Sequence, residues 1–441
     1  MWTHRRSGQT HQRGHLDHRN PYERDRTRVI HCAAFRRLQR KTQILGTDEG
    51  DFHRTRLTHS LEVASIGTSI VRSLWMNQQN HAHTSLLPDD DLISVICLLH
   101  DIGHPPFGHG GEVALNYMMR EHGGFEGNAQ TLRLLSKVET SYGAFGLDLT
   151  RRSLLGILKY PVPWSRVAAM TAPEDRVTEF KRTIRINDWL PPKAYFDTEQ
   201  SEVDWILAPF LEQDKQVFQS LTRSPALKQH GLASYYSFDC SIMDIADDIA
   251  YGVHDLEDAI HLQLITREQF DTPALRASLN MTPWMGQETL FIERLFAHSL
   301  SERKEAIGEL VNYFITAVGV GVCNERFEHP MLQYNVILNE TAKPLLDYCK
   351  DCIYQYVIDS QEARTFEYGG QKVVMRLFEA FSSNPENLLD AKNRLLFQDA
   401  EDTSSSFRVI CDYIANMTDE YAYRMHERLF GFNTRTIFER L

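Results

Sequence analysis

The chain has 441 residues, 42% hydrophobic and 10% aromatic, with 47 Lys and Arg against 59 Asp and Glu. This excludes wholesale disorder and calls for one large domain or several fused lobes, at about 100–200 residues per domain. The net charge of −12 argues against a dedicated nucleic-acid binder, and no apolar run reaches the ~20 residues that span a bilayer. Seven cysteines are too few, and odd in number, for a disulfide framework, so a reducing, cytoplasmic setting is expected.

Residues 1–28 hold seven arginines, Arg5, Arg6, Arg13, Arg19, Arg24, Arg26 and Arg28, against only Asp17, Glu23 and Asp25. Without an apolar core this stretch is no secretory signal, and it reads as a basic arm that is either solvated or phosphate-binding. Apolar stripes at i, i+3/i+4 then run through 29–38, 56–75, 91–100, 128–138, 204–221, 241–264, 303–318, 331–358 and 413–429. The run 314–323 reads as buried helix, and strand candidates are confined to 183–186 and 372–375. Pro105-Pro106, Pro161, Pro163 and Pro191-Pro192 fall where stripes stop. The reading is a mainly α protein, with the chemical signals in 29–265 and a regular helical lobe from 266 to 441.

The chemical signals begin at His59, which follows Arg54-Thr-Arg56-Leu-Thr in a helical pattern. The apolar run 92–99 ends in His100-Asp101, a pair that is costly to bury unless paired or bound to metal. Gly103, Pro105, Pro106 and Gly108 force a tight turn that can fold His104 and His109 back towards His100. His109 and Glu112 are three apart and share a helix face, and a carboxylate that orients an imidazole suits general acid–base work. Downstream, Asp247, Tyr251 and Asp255 form one helical stripe, with Asp244, Asp248 and Glu257 elsewhere around the helix. Stacked carboxylates repel, so that stripe calls for a cation or a positive partner. Two imidazoles and two carboxylates, His59, His100, Asp101 and Asp247, suit one divalent ion (Mn, Mg, Fe, Ni or Zn) with positions left for water and a phosphate oxygen. This is the equipment of metal-assisted phosphate-ester hydrolysis. Cys349 and Cys352 have zinc-like spacing but lack a second ligand pair, and His4, His11, His15 and His18 have no fixed ligand spacing.

The order His59 … His100-Asp101 … Asp247 resembles the H…HD…D pattern of HD-domain metal-dependent phosphohydrolases. Glu23-Arg-Asp-Arg, Ala34-Phe-Arg36-Arg37-Leu-Gln-Arg-Lys41-Thr-Gln43, His100-Asp-Ile-Gly-His104-Pro-Pro-Phe-Gly-His109, Phe125-Glu-Gly-Asn128-Ala-Gln130 and Ala246-Asp-Asp-Ile-Ala-Tyr251 look closer still to the bacterial dGTPase-like deoxynucleoside triphosphate triphosphohydrolases. This resemblance covers about residues 20–265 and is diffuse beyond. It implies an α-helical HD core and hydrolysis of a dNTP at the α-phosphorus, giving deoxynucleoside and tripolyphosphate. It places the metal on His59, His100, Asp101 and Asp247, with Asp247 preferred to Asp248 because Tyr251 and Asp255 share its stripe. His109 with Glu112 corresponds to a water-activating pair, with His104 and Asn128 near the same centre. Gln43 and Asp255 correspond to readers of the sugar 3′-hydroxyl, and Tyr251 to the residue that excludes a 2′-hydroxyl. Arg56, Lys159 and Lys193 correspond to phosphate contacts.

The resemblance also implies a homo-oligomer, a hexamer or tetramer, responsive to a second nucleotide; weak single-stranded nucleic-acid binding would fall to the basic arm. No membrane association is expected. Two rivals stand beside it: an HD phosphohydrolase of another nucleotide (cyclic nucleotide, guanosine polyphosphate or nucleoside monophosphate), or a non-catalytic, metal-holding nucleic-acid-binding regulator. Residues 174–197 depart from the pattern, which leaves base preference and phosphate contacts open.

Overall fold

The computed structural model describes residues 1–8, 17–43, 54–77, 82–173, 176–177, 182–183 and 186–431. Arg13, His11 and His15 lie outside the described residues. The fold is mainly helical, and among the described residues no helix is long and apolar enough to cross a membrane.

Helix α1 (Pro21–His31) starts where Asn20 accepts the N–H groups of Tyr22 and Glu23, with proline at the first position. It therefore crosses residue 28, the expected end of the arm. Helix α2 (Arg56–Asn77) buries Val63, Ile66, Ile70, Val71 and Leu74, and α3 (Asp90–Leu99), capped by Asp89, buries Leu92, Ile93, Val95, Ile96, Cys97, Leu98 and Leu99. The two pack closely: a side chain at Gly67 would stand 2.7 Å from Cys97 Sγ. Helix α6 (Phe238–Ile249) lies against both. Between them in sequence come α4 (Gly108–Met118) and α5 (Gly127–Arg133). The helix expected over 241–264 is interrupted by a π turn at Ala250–His254, and helix resumes at Asp255–His261.

One apolar core runs from Val29 to Val357 and passes residue 265 without a break. A second core joins Phe107–Ala129 to residues 373–422, on α9 (Gln361–Ser383), α10 (Thr403–Ala415) and α11 (Asp419–Phe430). The helical lobe expected from 266 onwards thus shares its interior with the N-terminal half.

Among the described residues, three two-stranded antiparallel ribbons accompany the helices. After α7 (Leu300–Thr316), β1 (Val318–Val322) pairs with β2 (Tyr334–Leu338), with Val318 opposite Leu338 and Val322 opposite Tyr334; α8 (Lys343–Ile353) follows. This corrects the helical reading of 314–323 at Val318–Val322 and of 331–358 at Tyr334–Leu338. Val-Gly-Val-Gly-Val favours strand, and its apolar content also fitted a helical stripe. Conversely, 372–375, a strand candidate, lies inside α9.

The described part of the basic arm folds back onto the core. Arg5 donates to Asp25 (2.6 Å) and to the Asp148 carbonyl, and Arg28 donates to the carbonyls of Leu147 and Asp148. Arg6 pairs with Glu202, while Trp2 packs edge-on against His329 and tilted against Phe210. Arg5, Arg6 and Arg28 thus bond to internal carboxylates and carbonyls, whereas Arg19 and Arg26 stay half exposed beside Asp17 and Asp91. All seven cysteines are free thiols, and Cys349 and Cys352 are buried on α8.

Candidate active site

Three helices converge on one carboxylate. His59 in the first turn of α2 places Nε2 3.0 Å from Asp247 Oδ1, near the end of α6. His100, at the C-cap of α3, places Nε2 3.5 Å from the same oxygen. The His100 Nδ1–H donates to the Cys97 carbonyl at 2.7 Å, so the tautomer turns an unprotonated Nε2 inwards when the ring is neutral. One ligand atom from each of the three residues lies within 4.8 Å of the others, and the buried His100 Nε2 has no hydrogen-bond partner among the described residues. Two imidazole nitrogens and a carboxylate oxygen converging on one point form a donor set suited to a divalent cation.

Asp101 stands beside this trio. Its Oδ1 is 3.6 Å from His100 Nε2 and 3.1 Å from His104 Nδ1, and its Oδ2 accepts from Arg56 at 2.5 Å. Part of Arg56, expected on a phosphate, is therefore spent on Asp101. Burial disfavours charge on His100, Asp101 and Asp247, yet mutual attraction prevails there. His100 is raised to about 9 by the Asp101 and Asp247 carboxylates against its own burial. Asp247 is held well below the usual carboxylate range, since His100 and His59 outweigh desolvation. Asp101 is also low: burial opposes ionisation, and the adjacent positive charges of Arg56 and His100 override it. Burial pushes His104 down to about 3, leaving it neutral at pH 7.

The turn after His100-Asp101 ends at Phe107, a buried residue with φ 63° immediately before α4. Such a left-handed bulky residue costs on the order of 1–3 kcal/mol and persists only where its surroundings hold it. Its N–H donates to Asp419 Oδ1 at 3.0 Å, and its ring meets Phe366 and Tyr423 edge-on. Within α4, a side chain at Gly111 would stand 1.9 Å from the Pro106 carbonyl, so glycine is what lets the helix fold back on the turn.

Helix α4 carries the His109–Glu112 pair, Nδ1 to Oε2 at 3.0 Å. The His109 side chain is 71% exposed and Glu112 is 2% exposed. The other Glu112 oxygen accepts the Gly127 N–H at 2.8 Å. Burial would raise Glu112, but Lys193 and His109 hold it well below the ordinary range, so it is an anion with both oxygens engaged. With Nδ1–H donated to Glu112, a neutral His109 presents Nε2 as an acceptor.

A cavity of about 350 Å³ joins the two groups. His59, His100, Asp101, Asp247, His104, His109, Asn128, Gln43, Arg56, Tyr251, Lys159 and Lys193 line it. Of the residues singled out in the sequence, Glu112 lies behind His109, and Asp255 is buried away from the cavity surface. Burial raises Asp255 to about 7, and its Oδ2 has no partner among the described residues. Asn128 donates to Glu126 at 2.8 Å.

Each lining lysine faces a carboxylate: Lys159 with Asp244 at 2.5 Å, Lys193 with Glu126 at 2.8 Å, and Lys350 with Asp248 at 2.6 Å. Tyr160 and Lys350 line the cavity but escaped the sequence reading, and Asp248, set aside there as a metal ligand, lines it too. Tyr160 directly follows Lys159, and Asp248 lies in the carboxylate-rich helix, so both had a local signal. Lys350 arrives on α8 from the C-terminal half, and only the tertiary fold reveals it.

Residues 56–149 match the HD domain family, and residues 336–428 match the phosphohydrolase-associated domain. The chain is 48% identical over 442 residues to a deoxyguanosinetriphosphate triphosphohydrolase-like protein of Shewanella pealeana, covering 100% of this chain and 98% of that relative. Like-named proteins of Vibrio parahaemolyticus (46% over 418 residues, 94% of each chain) and Shewanella baltica (47% over 438 residues, 98% and 96%) are similar over nearly their whole lengths. With the HD motif, the helical fold and the full-length likeness in agreement, the chain belongs to the deoxyguanosinetriphosphate triphosphohydrolase-like family of HD-domain phosphohydrolases.

Proposed function

We propose that the protein hydrolyses deoxynucleoside triphosphates at the α-phosphorus, releasing deoxynucleoside and intact tripolyphosphate. The observation that carries this reading is the oriented His109–Glu112 pair, which opens onto the same cavity as the His59–His100–Asp247 donor set. A protein that only held a metal would have no use for an exposed imidazole backed by a buried, fully engaged carboxylate.

His59, His100 and Asp247 would hold the divalent ion, with Asp101 beside them, and such an ion supplies polarisation of a phosphoryl oxygen. His109 accepts a proton from the attacking water at Nε2, while Glu112 fixes the ring and stabilises the imidazolium that forms. His104, neutral at pH 7, Asn128, Lys159 and Lys193 face the polyphosphate. Gln43, whose Oε1 has no partner among the described residues, is available to the sugar 3′-hydroxyl, and Tyr251 closes the space a 2′-hydroxyl would need. Because a buried polar group built to grip a hydroxyl is left unpaired without it, analogues lacking that hydroxyl should be rejected.

The test is turnover of each dNTP with Mn²⁺ or Mg²⁺, with dGTP first because the relatives' names carry it, and with ribonucleotide, cyclic and monophosphate nucleotides as controls. Deoxynucleoside plus tripolyphosphate is expected. Pyrophosphate plus monophosphate would move the cleaved bond, and turnover of the controls alone would overturn the substrate class.

A further inference from the structure

We infer that Asp419 is a positioning residue for this hydrolysis, setting the turn that precedes His109 against the segment that carries Gln43; the inference rests on the activity proposed above. Asp419 opens α11, far from the HD motif in sequence, and it is 3% exposed. Its carboxylate is engaged from two sides. Oδ1 accepts the Phe107 N–H at 3.0 Å, while Oδ2 accepts both the N–H (2.9 Å) and the hydroxyl (2.5 Å) of Thr42. Phe107 precedes Gly108-His109, and Thr42 precedes Gln43. One side chain of the C-terminal half thereby bridges the start of the His109 helix and the neighbour of a cavity-lining glutamine.

Two further observations show that the bridge controls geometry. Phe107 holds a left-handed backbone, serves as the N-cap of α4, and makes no side-chain capping bond of its own. The direction in which α4 leaves the turn therefore depends on what fixes the Phe107 amide and ring, and both are held from the C-terminal half, by Asp419 and by Phe366 and Tyr423. In addition, Lys41 Nζ donates to the His104 carbonyl (2.5 Å) and the Ala415 carbonyl (2.8 Å), clasping the same three segments within four residues of the bridge. Three donors on one carboxylate demand an acceptor at both oxygens. Asparagine, with one oxygen and an NH₂ that would face a donor, cannot satisfy them.

The experiment compares wild-type protein with D419N and T42V, using dGTP, its 2′,3′-dideoxy analogue and Mn²⁺. D419N is expected to lower kcat by about 10–100-fold with a smaller change in KM, the scale of loss that accompanies small misplacement of a reacting group. The acid limb of its kcat–pH profile should move because His109 no longer sits squarely on Glu112, while Mn²⁺ affinity stays within about threefold because the donor trio does not touch Asp419. T42V, which breaks one arm, should reduce discrimination against the dideoxy analogue more than it reduces kcat. A folded D419N with wild-type kcat and pH profile, or a kcat loss that merely tracks unfolding or metal loss, overturns the inference. If D419N does not fold, unchanged discrimination in T42V overturns it instead. If wild-type protein turns over no dNTP, the proposed function fails separately. The bridge is then judged by amide exchange, where unprotected Phe107 and Thr42 amides beside a protected Gly127 amide support it, and equal protection of all three in D419N overturns it.

Discussion

His109 combines two properties that seldom coincide in one residue: a ring open to the cavity and a rigid support behind it. Glu112 can hold that ring in one tautomer only because its second oxygen is committed to the Gly127 N–H. E112Q has one oxygen for two donors. Either the Gly127 contact is lost, or the amide NH₂ faces Nδ1 and the proton moves to Nε2, which then cannot accept. E112Q and H109A are therefore each expected to lower kcat by about 10²–10⁴-fold, the usual worth of a general base. Mn²⁺ binding should persist, since neither residue belongs to the donor trio. Steady-state kinetics beside a metal titration checks this, and near-normal kcat in either variant would remove the pair from the chemistry.

At this scale legibility depended on local context. His100-Asp101 stood out because an apolar run ended in two polar groups, and His109–Glu112 because helical spacing pairs them. The second duty of Asp101, as partner of Arg56 and His104, was hidden because their directions depend on the turn between them. Lys350 and Asp419 carried no signal, since their meaning comes from residues more than a hundred positions away.

At the scale of elements, the turn between His100 and His109 is held by segments with little capacity to adjust. The clearest case is Lys41, buried beneath the turn and lowered by desolvation to about 7. The unfolded chain keeps that amine protonated to its ordinary value of 10.5. Between about pH 7 and 10.5 the unfolded state thus binds the extra proton, and this residue makes stability rise with pH; below 7 both states are charged and the contribution is flat. The Tm of wild type minus that of K41M should therefore increase from pH 6.5 towards pH 9.5, as thermal melts across that range can establish. A constant difference would contradict a depressed amine. Elements also show where pattern reading failed. The β1–β2 ribbon has apolar spacing compatible with helix, and what distinguishes it is pairing, which no single segment displays. The π turn at Ala250–His254 shifts the helical register between Asp247 and Asp255, which helps explain why residues expected on one stripe part company, Asp247 facing the cavity and Asp255 buried away from it.

Across the whole molecule, the helical class was legible because periodic stripes are abundant, whereas the partition of the interior was not. The second core forms only when α9, α10 and α11 close over α4, a long-range pairing invisible to local pattern. Packing of α8 into the first core brings its lysine to the cavity, where all three lining ammoniums already face carboxylates. The consequence concerns how a polyanion arrives. With an overall charge of −12 and its lysines locally compensated, the mouth offers little long-range attraction, and a field screened over about 10 Å at 0.1 M salt has little left to steer. Raising ionic strength from about 0.05 to 0.5 M should accordingly change kcat/KM by less than about threefold, whereas a steep decline would reveal a guiding potential. On the proposed activity, capture would then be a contact event, in which an incoming triphosphate displaces resident carboxylates from their lysines, so selectivity would be exercised at the moment of exchange.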